Sequence, residues 1–261
     1  MTPIGKGIRL RRVFSGEKTL IVAMDHGVSS GPVPGLEDIR KAVSNVAKGG
    51  ATAVVLHKGV VRAAKEYFGE GLGLILHLNA STSLSARPNR KVLVTQVDEA
   101  ISYGADGISI HVNVGGADDD VMLADLGATA TACDRFGMPL LAMMYPRGEN
   151  IKNPYDVEVV KHVARVGAEL GADVVKTVYT GSPETFKEVV HGCPVPVVVA
   201  GGPKLDSDRA AFEMVAGALA GGAAGVSIGR NIFQAKDPIG MTRAFARMIF
   251  DGATVDEVYR G

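Results

Sequence analysis

The sequence places a lysine directly after a short apolar run. Lys176 stands in DVVKTVYTG, residues 173–181. In a strand there, it either points inward among apolar neighbours or interrupts their pattern. A lysine held in an apolar or cationic setting gives up its proton more readily and can attack a ketone to form a Schiff base. The protonated imine is an electron sink, so the adjacent C–C bond can break or form. The plainer alternative is a lysine that reaches solvent at the strand end or pairs with a carboxylate. This chemistry also needs a group that moves protons. Tyr145, in MMYPRG, closes the preceding apolar run, with Arg147 two residues on. A phenol beside a cation can donate and accept a proton; otherwise it packs against a wall. Asp25, in MDHG, closes the first run. Its carboxylate could take a proton, hold a substrate hydroxyl, or pair with Lys176 or an arginine.

Two glycine sites suggest what the ketone carries. AGGPK follows the seventh apolar run and IGRN the eighth, giving Gly201, Gly202 and Gly229 with Lys204 and Arg230 close by. Glycines let backbone N–H groups approach an anion, and a basic side chain adds a direct contact. Tight turns alone would also call for glycine. With Lys176, the cradle points to a phosphorylated ketone. His26, His57, His77 and His111 also close apolar runs. Four imidazoles could bind zinc, but Asp25 is the only acid at a strand top to orient such ligands. The expectation is therefore no metal and no cofactor, with histidines that hydrogen-bond substrate or line the mouth. His162 and His191 read as helix-surface residues.

Something must hold these residues in one place. Apolar runs recur at 19–27, 53–59, 72–79, 106–115, 139–148, 173–181, 194–202 and 224–233. Each is rich in Val, Ile or Leu and each is followed by room for a helix. Eight such units predict a (β/α)8 TIM barrel, whose active sites lie at the C-terminal strand ends. Helices are expected at 37–48, 97–103, 119–136, 155–170, 183–191, 206–220 and 238–249. A short basic helix near 4–13 would cap the bottom. Several strands follow a Gly-Ala pair, as in GGATAVVL, YGADGISI, LGADVVK and GGAAGVSIG, which fits a helix stop followed by a tight turn. The segment 80–96 is long for a loop and predicts an extra strand in KVLVT. With 261 residues and no composition break, residues 1–261 read as one barrel domain. A formal net charge of zero argues against a nucleic-acid partner. The two cysteines, Cys133 and Cys193, are in no ligand spacing and read as reduced thiols. No apolar run has the length of a membrane span, and no signal segment opens the chain, so a cytoplasmic protein with no membrane partner is expected.

Taken in order, MDHGVSSGP, MMYPRG, GAELGADVVKTVYTG, VVVAGGPK and GAAGVSIGRNIFQ resemble the archaeal-type class I aldolases over nearly the whole chain. The resemblance implies an imine lysine at Lys176, an acid tyrosine at Tyr145, an aspartate at Asp25 and phosphate loops at Gly201, Gly202, Gly229 and Arg230. Within the family it is nearest the transaldolase branch that makes 2-amino-3,7-dideoxy-D-threo-hept-6-ulosonate. In that branch a fragment of 6-deoxy-5-ketofructose 1-phosphate passes to L-aspartate semialdehyde, on a route to 3-dehydroquinate and the aromatic amino acids. A few positions carry the choice of branch, among them HKG in the second run and HVN in the fourth, which look like the transaldolase. Met143 stands where fructose-1,6-bisphosphate aldolases tend to have an aromatic residue, and VSSGP follows DHG where they tend to have EHGP. That fructose-bisphosphate activity is the alternative. The resemblance further implies that Asp25, His26, Gly27, Val28, Ser29, Tyr145, Pro146 and Arg147 line the sugar-phosphate site. It also implies assembly into homo-oligomers, often decamers. Arg147, Lys58 and Ser29 are candidates for holding the semialdehyde.

Overall fold

The computed structural model describes residues 4–69 and 71–259; residues 1–3, 70, 260 and 261 of the range expected for one barrel lie outside them. Eight strands form the barrel: β1 Thr19–Ala23, β2 Ala53–Leu56, β3 Gly73–His77 and β4 Gly107–Val114, then β5 Leu140–Pro146, β6 Val174–Thr177, β7 Val197–Ala200 and β8 Gly225–Ile228. They pair in parallel in chain order, and β8 returns to β1 to close the barrel. The architecture is the expected (β/α)8 barrel.

Period-two alternation sorts the side chains into two cores. Ile21, Ala23, Ala53, Val55, Ile75, Leu141, Met143, Val174 and Val198 fill the barrel interior. Their neighbours Leu20, Val22, Val54, Leu74, Leu76, Ile108, Val175 and Val199 pack outward beneath the helices. This parity aims the site. Residues two positions beyond the last inward apolar residue point into the mouth: Asp25 after Ala23, His57 after Val55, His77 after Ile75, Tyr145 after Met143 and Lys176 after Val174.

The helices that matter here are α1 Ile4–Val13, α2 His26–Ser30, α3 Ile39–Gly49, α4 Lys58–Val61, α5 Val97–Ser102, α6 Asp119–Phe136, α7 Val157–Glu169, α8 Pro183–Gly192, α9 Asp208–Ala220, α10 Arg230–Phe233 and α11 Pro238–Phe250. Asp38, Asp156, Ser182, Ser207 and Asp237 accept first-turn N–H groups and so fix where α3, α7, α8, α9 and α11 begin. In the four Gly-Ala pairs, Gly50, Gly104, Gly171 and Gly222 all have positive φ, from 73° to 99°. That is why the motif recurs before strands. The chain after β2, where room for a helix was expected, forms α4 and a 3-10 turn over Arg62–Tyr67. One further expectation needs trimming. In KVLVT only Val92–Leu93 pairs, with Asn79–Ala80. Val94 and Thr95 both donate their N–H to the Leu78 carbonyl, which turns the chain away.

Helix α1 closes the bottom. Leu10, Val13 and Phe14 pack into the inner core. Lys6, 2% exposed, donates to Asp173 at 2.8 Å and pairs with Asp134 at 2.5 Å. Arg12 bonds Asp106 at 2.9 Å. Asp106 and Asp173 also accept the N–H of Leu74 and Leu140, so the bonds that hold the cap also fix neighbouring strand starts.

Candidate active site

The upper end of the barrel holds a cavity of about 470 Å³. Of the residues expected there, Asp25, His26, Ser29, Tyr145, Arg147, Lys176, Gly201, Gly202, Gly229 and Arg230 line it. Gly27, Val28 and Pro146 do not. Gly27 and Val28 lie on α2, where Val28 is 44% exposed, and Pro146 has the opposite parity to Tyr145. His57, His77 and His111 join the lining; Lys204 turns aside to the Gln234 carbonyl and Lys58 to Glu99.

Lys176 lies at the deep end, 5% exposed, opposite Met143 in the β5–β6 register. Tyr145 stands one inward position higher on the adjacent strand. No carboxylate of the described residues comes within 4.0 Å of the Lys176 Nζ. The alternative of a lysine paired with an acid is therefore not what the structure shows.

Asp25 and the histidines form an electrostatic unit. His77 Nε2 is 3.8 Å from Asp25 Oδ2, and its Nδ1 shares a 2.8 Å hydrogen bond with Ser109. Burial alone would raise the Asp25 carboxyl. At the acid pH where Asp25 would take up a proton, the charges of His77, His26, Lys176 and His57 outweigh that and hold it well below the usual carboxylate range. Burial also pushes His77 down to about 3, and lowers His26, His57 and His111. Burial thus favours the neutral form of all four imidazoles at pH 7. His111 Nε2–H donates to Asn113 Oδ1 at 2.8 Å, because that amide's Nδ2 is spent on the Asn89 carbonyl. The His111 ring lies 4.8 Å from that of Tyr145. Among the described residues no three His, Cys, Asp or Glu side chains converge to hold a metal ion.

The glycine cradle is built by β7, β8 and one asparagine. A Cβ at Gly229 would meet the Ala23 carbonyl oxygen at 2.5 Å, and Gly202 has φ of 63°. Buried Asn231 donates to the Gly201 carbonyl at 2.9 Å and accepts from the Leu205 N–H at 2.8 Å. Arg230 donates to the Gly202 carbonyl.

Sequence reasoning missed the far rim. Asn79 brackets His111 with two backbone bonds, at 2.8 and 2.9 Å, and so extends the β3–β4 ladder with a side chain. The Ser29 hydroxyl donates to the Ser81 carbonyl and so anchors the 80–96 segment. Lys91, on that segment, points into the cavity at 7% exposure. Its only signal was a basic residue heading KVLVT, which read as a strand start.

Residues 19–235 match the DeoC/LacD family aldolase model. This chain belongs to that family. A 2-amino-3,7-dideoxy-D-threo-hept-6-ulosonate synthase of Archaeoglobus fulgidus is 41% identical, with 98% of this chain and 95% of that protein covered. A 2-amino-4,5-dihydroxy-6-oxo-7-(phosphonooxy)heptanoate synthase of Streptomyces griseus is also 41% identical, over 97% and 93%. Among solved structures, an archaeal fructose 1,6-bisphosphate aldolase superposes with a TM-score of 0.85 at 31% identity, covering 95% of this chain and all of that one. Another such aldolase, with its catalytic lysine bound to the carbinolamine intermediate, gives 0.84 at 31% identity, over 94% and 99%. No helix of the described residues is long and apolar enough to cross a membrane.

Proposed function

We propose that the chain is a Schiff-base transaldolase that joins a fragment of 6-deoxy-5-ketofructose 1-phosphate to L-aspartate semialdehyde. The product would be 2-amino-3,7-dideoxy-D-threo-hept-6-ulosonate, on a route to aromatic amino acids. One observation carries the chemistry: Lys176 is buried, points inward, has no acid partner, and has Tyr145 one layer above it on the next strand. The relatives named for such synthases support the substrate, and the aldolase whose lysine holds a carbinolamine supports the mechanism.

In this reading neutral Lys176 attacks the C5 ketone, and water leaves to give the iminium. Tyr145 takes the proton of the C3 hydroxyl as the C3–C4 bond breaks. The three-carbon phosphorylated aldehyde departs, and the electron pair of the broken C3–C4 bond stays on C4 to form the enamine. The enamine attacks the semialdehyde carbonyl, Tyr145 returns a proton to the new alkoxide, and water releases the product. Asp25, kept ionised, sits where it can hold a substrate hydroxyl or face the iminium charge.

A second reading concerns the donor. The two products named for the relatives differ only at C7, which is phosphorylated in the Streptomyces griseus case and deoxy in the other. A phosphate kept at C7 starts as a three-carbon ketone phosphate, bearing its phosphate next to the imine carbon. The glycine cradle lies on β7, beside the Lys176 strand, and favours that arrangement. Incubation of the protein with L-aspartate semialdehyde and each donor in turn, with product masses recorded, separates them.

The first experiment is cleavage of fructose 1,6-bisphosphate with a chelator present, followed by borohydride trapping. Little cleavage, a trapped ketose at Lys176 and turnover with L-aspartate semialdehyde are expected. Lys176→Met should lose both adduct and turnover while still binding ketose phosphate. Brisk cleavage would make the chain a fructose-bisphosphate aldolase, and normal turnover by Lys176→Met would end the imine mechanism.

A further inference from the structure

The mouth holds cations that the phosphate cradle does not use. Lys91 is 7% exposed and its Nζ has one partner, the Ser81 hydroxyl, at 2.6 Å. Ser81 in turn donates to the Pro88 carbonyl, so the hydroxyl's direction is fixed. No carboxylate of the described residues pairs with Lys91 or with Arg147, although both line the cavity. An ammonium has three donors to satisfy, and burying one without a counter-ion costs several kcal/mol unless an anion arrives. Burial pulls Lys91 below its usual range, and the charge of Arg147 adds to this. The two cations therefore sense one another across the same space.

Their place in the ring gives them a partner. The cradle tops β7 and β8. Lys91 rides on the segment joining β3 to β4, which is diametrically opposite in an eight-strand ring, and Arg147 follows β5. Lys176 lies on β6, between the cradle and Arg147. A substrate imine-bound at Lys176 with its retained end toward the cradle extends its aldehyde-forming end toward Lys91 and Arg147; in 6-deoxy-5-ketofructose 1-phosphate that end carries the phosphate, and the semialdehyde that replaces it carries the carboxylate.

We infer that Lys91 and Arg147 form the anion site for the far end of the aldehyde partner, and that with L-aspartate semialdehyde they take its carboxylate. The choice of semialdehyde rests on the function proposed above; the anion site does not. Lys91 is a specificity residue in this scheme, remote from the bond that forms.

The test compares aldehydes with and without the anion. Wild type, Lys91→Met and Lys91→Arg are assayed with L-aspartate semialdehyde and with propanal, after borohydride trapping shows that each variant still forms the donor adduct. A lost charge-assisted hydrogen bond corresponds to about a 10- to 100-fold fall in the kcat/KM ratio of semialdehyde to propanal in Lys91→Met, through KM. Lys91→Arg should recover most of that ratio. An unchanged ratio in Lys91→Met, or equal losses with both aldehydes, overturns the site. If wild type rejects the semialdehyde but cleaves fructose 1,6-bisphosphate, the proposed function fails and the same test passes to fructose 1,6-bisphosphate against fructose 1-phosphate. The inference then stands only if Lys91→Met selectively loses the bisphosphate.

Discussion

At the residue scale, the described residues leave Lys176 without a carboxylate partner and hold Asp25 well below the usual carboxylate range. Strand register puts Tyr145 one layer above Lys176, backed by the His111 ring at 4.8 Å and the Arg147 guanidinium at 5.6 Å, and the proposed reaction gives it the proton transfer. Tyr145→Phe should therefore separate two steps. The imine at Lys176 still forms and is trapped by borohydride, while turnover falls roughly 10²- to 10⁴-fold. Intact turnover in that variant would take the proton-transfer role from Tyr145. The sequence alone named Lys176, Tyr145 and Asp25, because each ends an apolar run and period two forces it inward. Lys91 was not legible. Its burial depends on Ser81, Pro88 and Asn89 folding over the mouth, and no local pattern encodes that path.

At the element scale, the glycine cradle proposed for the phosphate is held by a staple between two loops. Asn231, 4% exposed on α10, ties the chain after β7 through Gly201, Pro203 and Leu205. Asn231→Leu keeps the volume but strips these bonds and leaves the Gly201 carbonyl and Leu205 N–H without that partner. We expect a stability loss of about 1–3 kcal/mol in denaturant unfolding. KM for the ketose phosphate should also rise by more than kcat falls. An unchanged KM would show that the cradle does not need the staple. The glycines of the cradle were legible as types, and the asparagine that positions them was not. NIF after IGR reads as the start of a helix, and a bond across to a neighbouring loop has no sequence period. The extra strand expected in the 80–96 segment forms but is short: the Leu78 carbonyl takes the N–H groups of Val94 and Thr95 and ends the pairing after Leu93.

At the scale of the whole molecule, the buried imidazoles tie stability to pH. His77 sits at about 3 when folded and near 6.5 when unfolded, and His26, His57 and His111 are lowered too. Below 6.5 the unfolded chain binds protons that the folded chain refuses. Stability is therefore full above 6.5 and drains as pH falls toward the folded values, by about 1.4 kcal/mol per pH unit for each histidine kept neutral. Asp25, also lowered, adds its loss only below the usual carboxylate range. Urea unfolding of wild type and His77→Gln between pH 7 and 5 should show a shallower slope in the variant; equal slopes would remove His77 from the account. The eight-strand barrel itself was plain from the recurring apolar runs, because strands buried on both faces leave no other pattern. One consequence follows from the lower end, where Leu10, Val13 and Phe14 plug the interior. A chamber with a single doorway makes its visitors take turns. In the proposed transaldolase reaction the first aldehyde leaves before the second enters, so initial rates should give parallel double-reciprocal lines, and excess acceptor should slow the enzyme by occupying the free site ahead of the donor.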